Sequence, residues 1–322
     1  MADVTHSHDN TLHWLLGGAL VLIGLFAIIM LVLVKSQADS VTTTTAINNA
    51  SPTVVSEFIS TAANGGSDDF SSGIALTAGT TKTIHINGVV QDTNGRADIS
   101  TVALALYRSG ATGGAGCTAD NNDCYPVSSC TLATNSDTTQ KTYDCSVALK
   151  YFTDATDTGS TFAVQNWTAG ITVTDASSAT GTSSSSVEVN TLLALTIPSS
   201  LSFGSLALGT TTTSSNNVTY TLTQQGNQAA DVEASMPNAG LTCSSIGNID
   251  NSRVKWALTS VGYADAGATA LTSSAVNTVA NITRQSDDST ATSSNLFWNI
   301  SVPSTGVAGT CSGTMTITAV AH

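Results

Sequence analysis

Charge is scarce in this chain. Its 322 residues include 9 Lys and Arg against 22 Asp and Glu, and charged residues make up 10% of the whole, well under the roughly 25% of an ordinary soluble domain. No cluster of cations is available to neutralise phosphates and release counterions, which excludes nucleic acid as a partner. Catalytic signatures are missing as well: there is no G-x-S-x-G elbow, H-E-x-x-H helix, Walker A loop or dinucleotide fingerprint. Only Glu188 and Glu233 read as glutamates within strands, so a carboxylate pair for glycoside hydrolysis has no local support. The expectation is a protein without enzymatic activity.

What remains still folds. Hydrophobic residues reach 41% with a mean hydropathy of +0.16, too apolar for a disordered chain. Ser, Thr, Asn and Gly must therefore keep the surface wet around real cores.

The N-terminus divides into a short polar stretch, residues 1–13, and an uninterrupted apolar run, residues 14–34. The run reads WLLGGALVLIGLFAIIMLVLV and would extend about 31 Å as a helix, enough for a hydrocarbon core of roughly 30 Å. It is read as a single transmembrane helix, with Trp14, Leu20, Phe26 and Val34 in the membrane. A cleaved signal peptide is the rival, but its apolar stretch is usually about 7 to 15 residues behind a cationic lead, and here the lead carries Asp3 and Asp9. His6, His8 and His13 read as solvated polar residues rather than a metal tract. Lys35 alone would weakly place the following region inside the cell. Against it stand six Cys, all beyond the apolar run, an even number that reads as disulfides in an exported region.

Residues 35–51 form a Thr-rich stalk with no periodicity. Beyond it, short alternating runs are separated by Gly, Ser, Asn and Asp, the pattern of strands and turns. Thr83–Val90, Ile99–Tyr107, Asp144–Phe152, Asn166–Thr174 and Ser186–Val189 give a first β-sandwich over residues 52–190. Leu193–Ile197, Leu201–Phe203, Val218–Leu222, Val232–Ala234, Val254–Leu258, Leu296–Val302 and Gly313–Val320 give a second over residues 191–322. The fold class expected is all-β, two immunoglobulin-like antiparallel β-sandwich domains behind one N-terminal transmembrane helix.

The series DTNGRADISTVALALYRS, CTADNNDCYPVSSC, YDCSVALKYFTDATDTGS and NWTAGITVTDAS, with LTIPSSLSFGSLALGT and VPSTGVAGTCSGTMTITAVA, resembles secreted immunoglobulin-like cell-surface proteins of ultrasmall candidate-phylum bacteria. The resemblance covers about residues 80–322. It implies exported β-sandwiches and little chemistry.

The cysteines are the strongest covalent signal. Cys243 and Cys311 would tie the last strand of the second sandwich to its middle. Cys117, Cys124, Cys130 and Cys145 allow three pairings; the local one, Cys117 with Cys124 and Cys130 with Cys145, closes two short loops and is preferred. Asp92, Asn94 and Asp98 space their oxygens as D-x-N-x-x-x-D, a fragment of what calcium takes. The commoner reading of Asn-Gly between aspartates is a tight turn, and calcium is the only cofactor the sequence suggests. Asp120–Asp123 and Asp154–Asp157 add further oxygen-rich segments. Trp167, Trp256 and Trp298 could form a glycan platform, although a Trp within an alternating strand is more often core. Five N-x-S/T sequons occur, at Asn49, Asn166, Asn217, Asn281 and Asn299.

The function expected is a membrane-anchored extracellular structural and interaction protein. Its partners would be its own copies, in a surface layer or filament, or another cell surface; a surface of low charge offers little repulsion between copies. The alternative is a monomeric adhesin or glycan-binding surface module, with the Cys117–Cys145 insertion as its contact loop.

Overall fold

A computed structural model describes residues 10–33 and 41–322. By contact the chain divides into Met1–Asn48 and Asn49–His322. In the first unit α1 (Asn10–Leu33) covers most of the apolar run. Its described side chains, those of residues 15–28, are all exposed. No helix among the described residues is long and apolar enough to cross a membrane. Val34 and the side chain of Trp14 lie outside the described residues, as do residues 1–9 of the polar lead and 35–40 of the stalk. Residues 41–49 are exposed and without regular structure.

The second unit is built of antiparallel strands. The first eight are β1 (Thr53–Ser60), β2 (Thr81–Gln91), β3 (Ile99–Arg108), β4 (Cys124–Val127), β5 (Thr131–Thr134), β6 (Gln140–Lys150), β7 (Trp167–Asp175) and β8 (Thr180–Val187). They form two sheets of four, in the orders β1-β2-β6-β5 and β4-β3-β7-β8. Period-2 alternation explains the packing. Ile84, Ile86 and Val90 of β2 face Val102, Leu104 and Leu106 of β3 and Trp167, Ala169, Ile171 and Val173 of β7 across one core.

Two close approaches of backbone account for sequence features with no apolar signal. A bulge in β1 between Val54 and Ser56 brings the Ser56 carbonyl to 2.0 Å from where a Cβ on Gly88 would sit. The Pro52 carbonyl lies equally near, at 2.0 Å, the missing Cβ of Gly181 in β8. β8 is a strand of small polar residues ending in a buried Val, TGTSSSSV, of which the expected strand Ser186–Val189 covers only the end.

The remaining strands are β9 (Leu195–Thr196), β10 (Val218–Gln224), β11 (Ala230–Ser235), β12 (Leu241–Cys243), β13 (Asn248–Ile249), β14 (Val254–Ala257), β15 (Thr269–Ala270), β16 (Val276–Asn277), β17 (Ser293–Ile300), β18 (Cys311–Ser312) and β19 (Thr316–Ala321). They make a five-stranded sheet, β15-β14-β17-β10-β9, and two three-stranded ones, β16-β11-β19 and β13-β12-β18. A separate core gathers Tyr220, Leu222, Val232, Trp256, Leu296 and Trp298. Leu201–Phe203, expected as a strand, carries no strand pairing. Leu201, Phe203 and Leu206 nevertheless pack on the core, so the apolar alternation was a burial signal without a ladder partner.

Three disulfides close the fold: Cys117–Cys124 ties a loop to β4, Cys130–Cys145 ties the residue before β5 to β6, and Cys243–Cys311 joins two strands. The last joins register partners of β12 and β18.

Candidate functional site

The two ends of the first sandwich carry opposite chemistry. The inward phase of β2, residues 84, 86 and 90, continues to Asp92 just past the strand. The inward phase of β7 runs from Trp167 to Asp175. Both aspartates thus point into the same end of the sandwich from opposite sheets. Register places Asp175 opposite Ile99, beside Asp98. The result is a triad, Asp92, Asp98 and Asp175, whose nearest oxygens all lie within 4.8 Å of one another.

The connecting turn is held by its own hydrogen bonds. The Asn94 N–H donates to Asp92 Oδ1 at 2.7 Å, and Gly95 at a φ of 121° completes a turn that L side chains rarely permit. Asp175 Oδ1 accepts from the Ser177 and Ala179 N–H groups, each at 2.8 Å, and its Oδ2 accepts from Asn49 Nδ2 at 2.6 Å. The Asn49 donor first, then these backbone donors, outweigh burial and hold the Asp175 carboxyl below the usual carboxylate range. Asn94, named with Asp92 and Asp98 from the sequence, accepts the Ala50 N–H on its Oδ1 at 2.7 Å. The local spacing of Asp92 and Asp98 was visible in the sequence; Asp175, from another strand, was missed. Its signal was phase: a carboxylate in the core-facing register at the end of a buried strand.

At the opposite end the phase of β3, residues 102, 104 and 106, ends on Arg108, 8% exposed. A charge placed inward requires partners. Arg108 donates to Asp154 Oδ2 at 2.8 Å and to Asp123 Oδ2 at 2.9 Å, and stacks 3.9 Å over the Phe162 ring. Arg284 of the second sandwich reaches the other oxygen of Asp154 and the opposite partner, Asn122. Burial pushes the Asp154 carboxyl up, while Arg284 and Arg108 pull it down. Asn227 adds to the seam, donating to the Thr153 carbonyl at 2.9 Å and accepting the Leu192 N–H at 2.7 Å.

The other oxygen-rich segments are thereby assigned. Asp120 accepts the N–H groups of Asn122, Asp123 and Cys124, a turn cap. Asp157 accepts from Thr191. Within the Cys117–Cys145 insertion, Asn121 donates to Asp288. Trp167, Trp256 and Trp298 are 0%, 7% and 0% exposed, core residues and no glycan platform. Asn299, a sequon residue, is buried and closed to modification. His85 and His322 lack partners in any sequence reading, yet each meets an aspartate: Asp144 at 2.9 Å and Asp231 at 3.1 Å. Glu57, overlooked as a strand glutamate, lies in β1.

Sheet edges complete the picture. Ser185 of edge strand β8 donates its N–H and hydroxyl to Glu57 Oε1 of edge strand β1, at 3.0 and 2.6 Å. β4 carries Pro126, and β5 has only four residues. These are the usual guards of an edge. β19, by contrast, pairs with β11 on one side only, and its six residues are all exposed or half-exposed.

No protein-family model matches the chain, and no curated protein matches it. Among solved structures, it is similar to the CsuC–CsuE chaperone–tip adhesion subunit pre-assembly complex from archaic chaperone-usher Csu pili of Acinetobacter baumannii. Identity is 13%, with a TM-score of 0.34, over 76% of this chain and 96% of that one. A likeness of that size carries no functional argument.

Proposed function

We propose that the chain is a membrane-anchored extracellular structural protein that associates with its own copies through sheet edges, building a surface layer or filament. The observation that carries this reading is β19, the six-residue edge strand left without a second neighbour among the described residues. An edge of that length offers a row of backbone donors and acceptors to another chain. Three disulfides support an oxidising, exported location. The strand order of the first sandwich supports an immunoglobulin-like assignment, since β1-β2-β6-β5 and β3-β7-β8 follow the ABED and CFG sheets of that fold, with β4 as an added edge. The 21-residue apolar run supports the anchor.

A single charge at the edge tests the idea. Thr318 is exposed on β19, and Thr318→Lys should alter stability by no more than about 0.5 kcal/mol while blocking edge pairing. Light scattering of the full-length chain in detergent should find oligomers for the wild type and monomers for the variant, with the same circular dichroism. A wild type that stays monomeric at high concentration would overturn self-association and leave a monomeric surface binder.

A further inference from the structure

We propose that Asp92, Asp98 and Asp175 form a calcium site at the end of the first sandwich where the chain enters it. Three carboxylates within 4.8 Å of one another repel strongly unless a positive charge lies among them. None of the described cations supplies it. The salt bridges formed by described residues do not include these three aspartates. Lys141 and Arg96, close in register and sequence, spend donors on the carbonyls of Ile99, Asn135 and Asp137.

An independent observation concerns Asp92 itself. It is 1% exposed, and while Oδ1 takes the Asn94 N–H, Oδ2 is buried with no hydrogen-bond partner among the described residues. A buried carboxylate oxygen without a donor is costly. Here it belongs to a cluster whose other members are also carboxylates. Hard oxygens from three carboxylates, with room for water and neighbouring amides, match calcium better than zinc or copper, which take nitrogen and sulfur.

The site also has a structural consequence. Asn49 donates to Asp175, and Ala50 donates to Asn94 in the same turn. With its amide turned over, Asn49 would present its carbonyl oxygen to the ion. Cation binding would then fix the residues that lead into β1.

The test uses the full-length chain in detergent, stripped with EDTA and titrated with CaCl2 by calorimetry and thermal melting. Excess calcium should raise Tm by about 5 °C or more, and EDTA should reverse the rise. Asp98→Asn is the variant of choice, because Asp98 is half-buried and, among the described residues, its carboxylate carries none of the turn's hydrogen bonds. The variant should bind calcium at least tenfold more weakly. In EDTA it should melt no lower than the wild type, since one repelling charge is gone. Absence of binding up to 10-millimolar-order calcium (~10 mM, above the weakest extracellular sites), or equal binding by Asp98→Asn, would overturn the site. A magnesium response equal to calcium's would overturn the choice of ion.

Discussion

The two sandwiches solve the same packing problem with different means. The first relies on long ladders: β2 and β6 have 11 residues each and β3 has 10. In the second the longest strand has 8 residues, and β9, β13, β15, β16 and β18 have 2 each. Short strands leave long loops to be ordered, and their entropy must be opposed by something other than backbone pairing. Covalent closure differs accordingly. The bridges of the first sandwich span 7 and 15 positions, whereas Cys243–Cys311 spans 68.

Buried polar groups also differ in sign. In the first sandwich the unpartnered atoms include the anionic oxygens Asp92 Oδ2 and Glu57 Oε2. In the second they include the donors Trp256 Nε1, Trp298 Nε1 and Asn299 Nδ2. That contrast is why a cation is assigned to the first sandwich and not to the second.

The largest expected effect breaks the covalent contrast. By loop-closure entropy, replacing Cys243 and Cys311 with Ala should cost about 4 kcal/mol, against about 3 kcal/mol for Cys130 and Cys145. Denaturant unfolding of the two double variants measures the difference, and a larger loss for the Cys130 pair would reverse the comparison. A smaller effect tests the seam. Arg284→Ala leaves Asp154 with Arg108 but removes the charged hydrogen bond from the second sandwich, worth about 2 kcal/mol. Calorimetry should show the Tm of the Asn49–His322 unit falling, and an unchanged Tm would mean that the Arg284 contact contributes nothing net.

The smallest effect concerns the indoles. Trp167 Nε1 donates to the Asp154 carbonyl at 2.8 Å, while Trp298 Nε1 has no partner. Both side chains are fully buried, so substitution by Phe costs each a similar volume. Trp167→Phe should cost about 1 kcal/mol more than Trp298→Phe, the worth of one hydrogen bond. Equal costs in chemical denaturation would show that the Trp167 bond contributes nothing net.

Several parts of this fold were legible from local pattern. Val102, Leu104 and Leu106 alternate, and the same phase marks Arg108 as an inward charge. Turn chemistry at Asp92–Gly95 was visible because Gly and Asn suit positive φ. β8 escaped because its inward residues before Val187 are Gly181, Ser183 and Ser185, which carry no apolar alternation. Of the two-residue strands of the second sandwich, β9 lies within the expected Leu193–Ile197, while β13, β15, β16 and β18 escaped for another reason: a pairing of two residues has no period to detect.

The sequence by itself determined the class of the molecule. Alternation fixed strands, scarcity of charge fixed a polar uncharged coat, and clustered cysteines fixed where cross-links could form, because each is a property of neighbours along the chain. Tertiary structure alone decided the two charged ends of the first sandwich. Asp175 joins Asp92 and Asp98, and Arg284 joins Asp154 and Arg108, only after distant strands and loops pack together within the Asn49–His322 unit. Such contacts unite residues whose separation along the chain carries no period, so their energies depend on packing that no local pattern encodes.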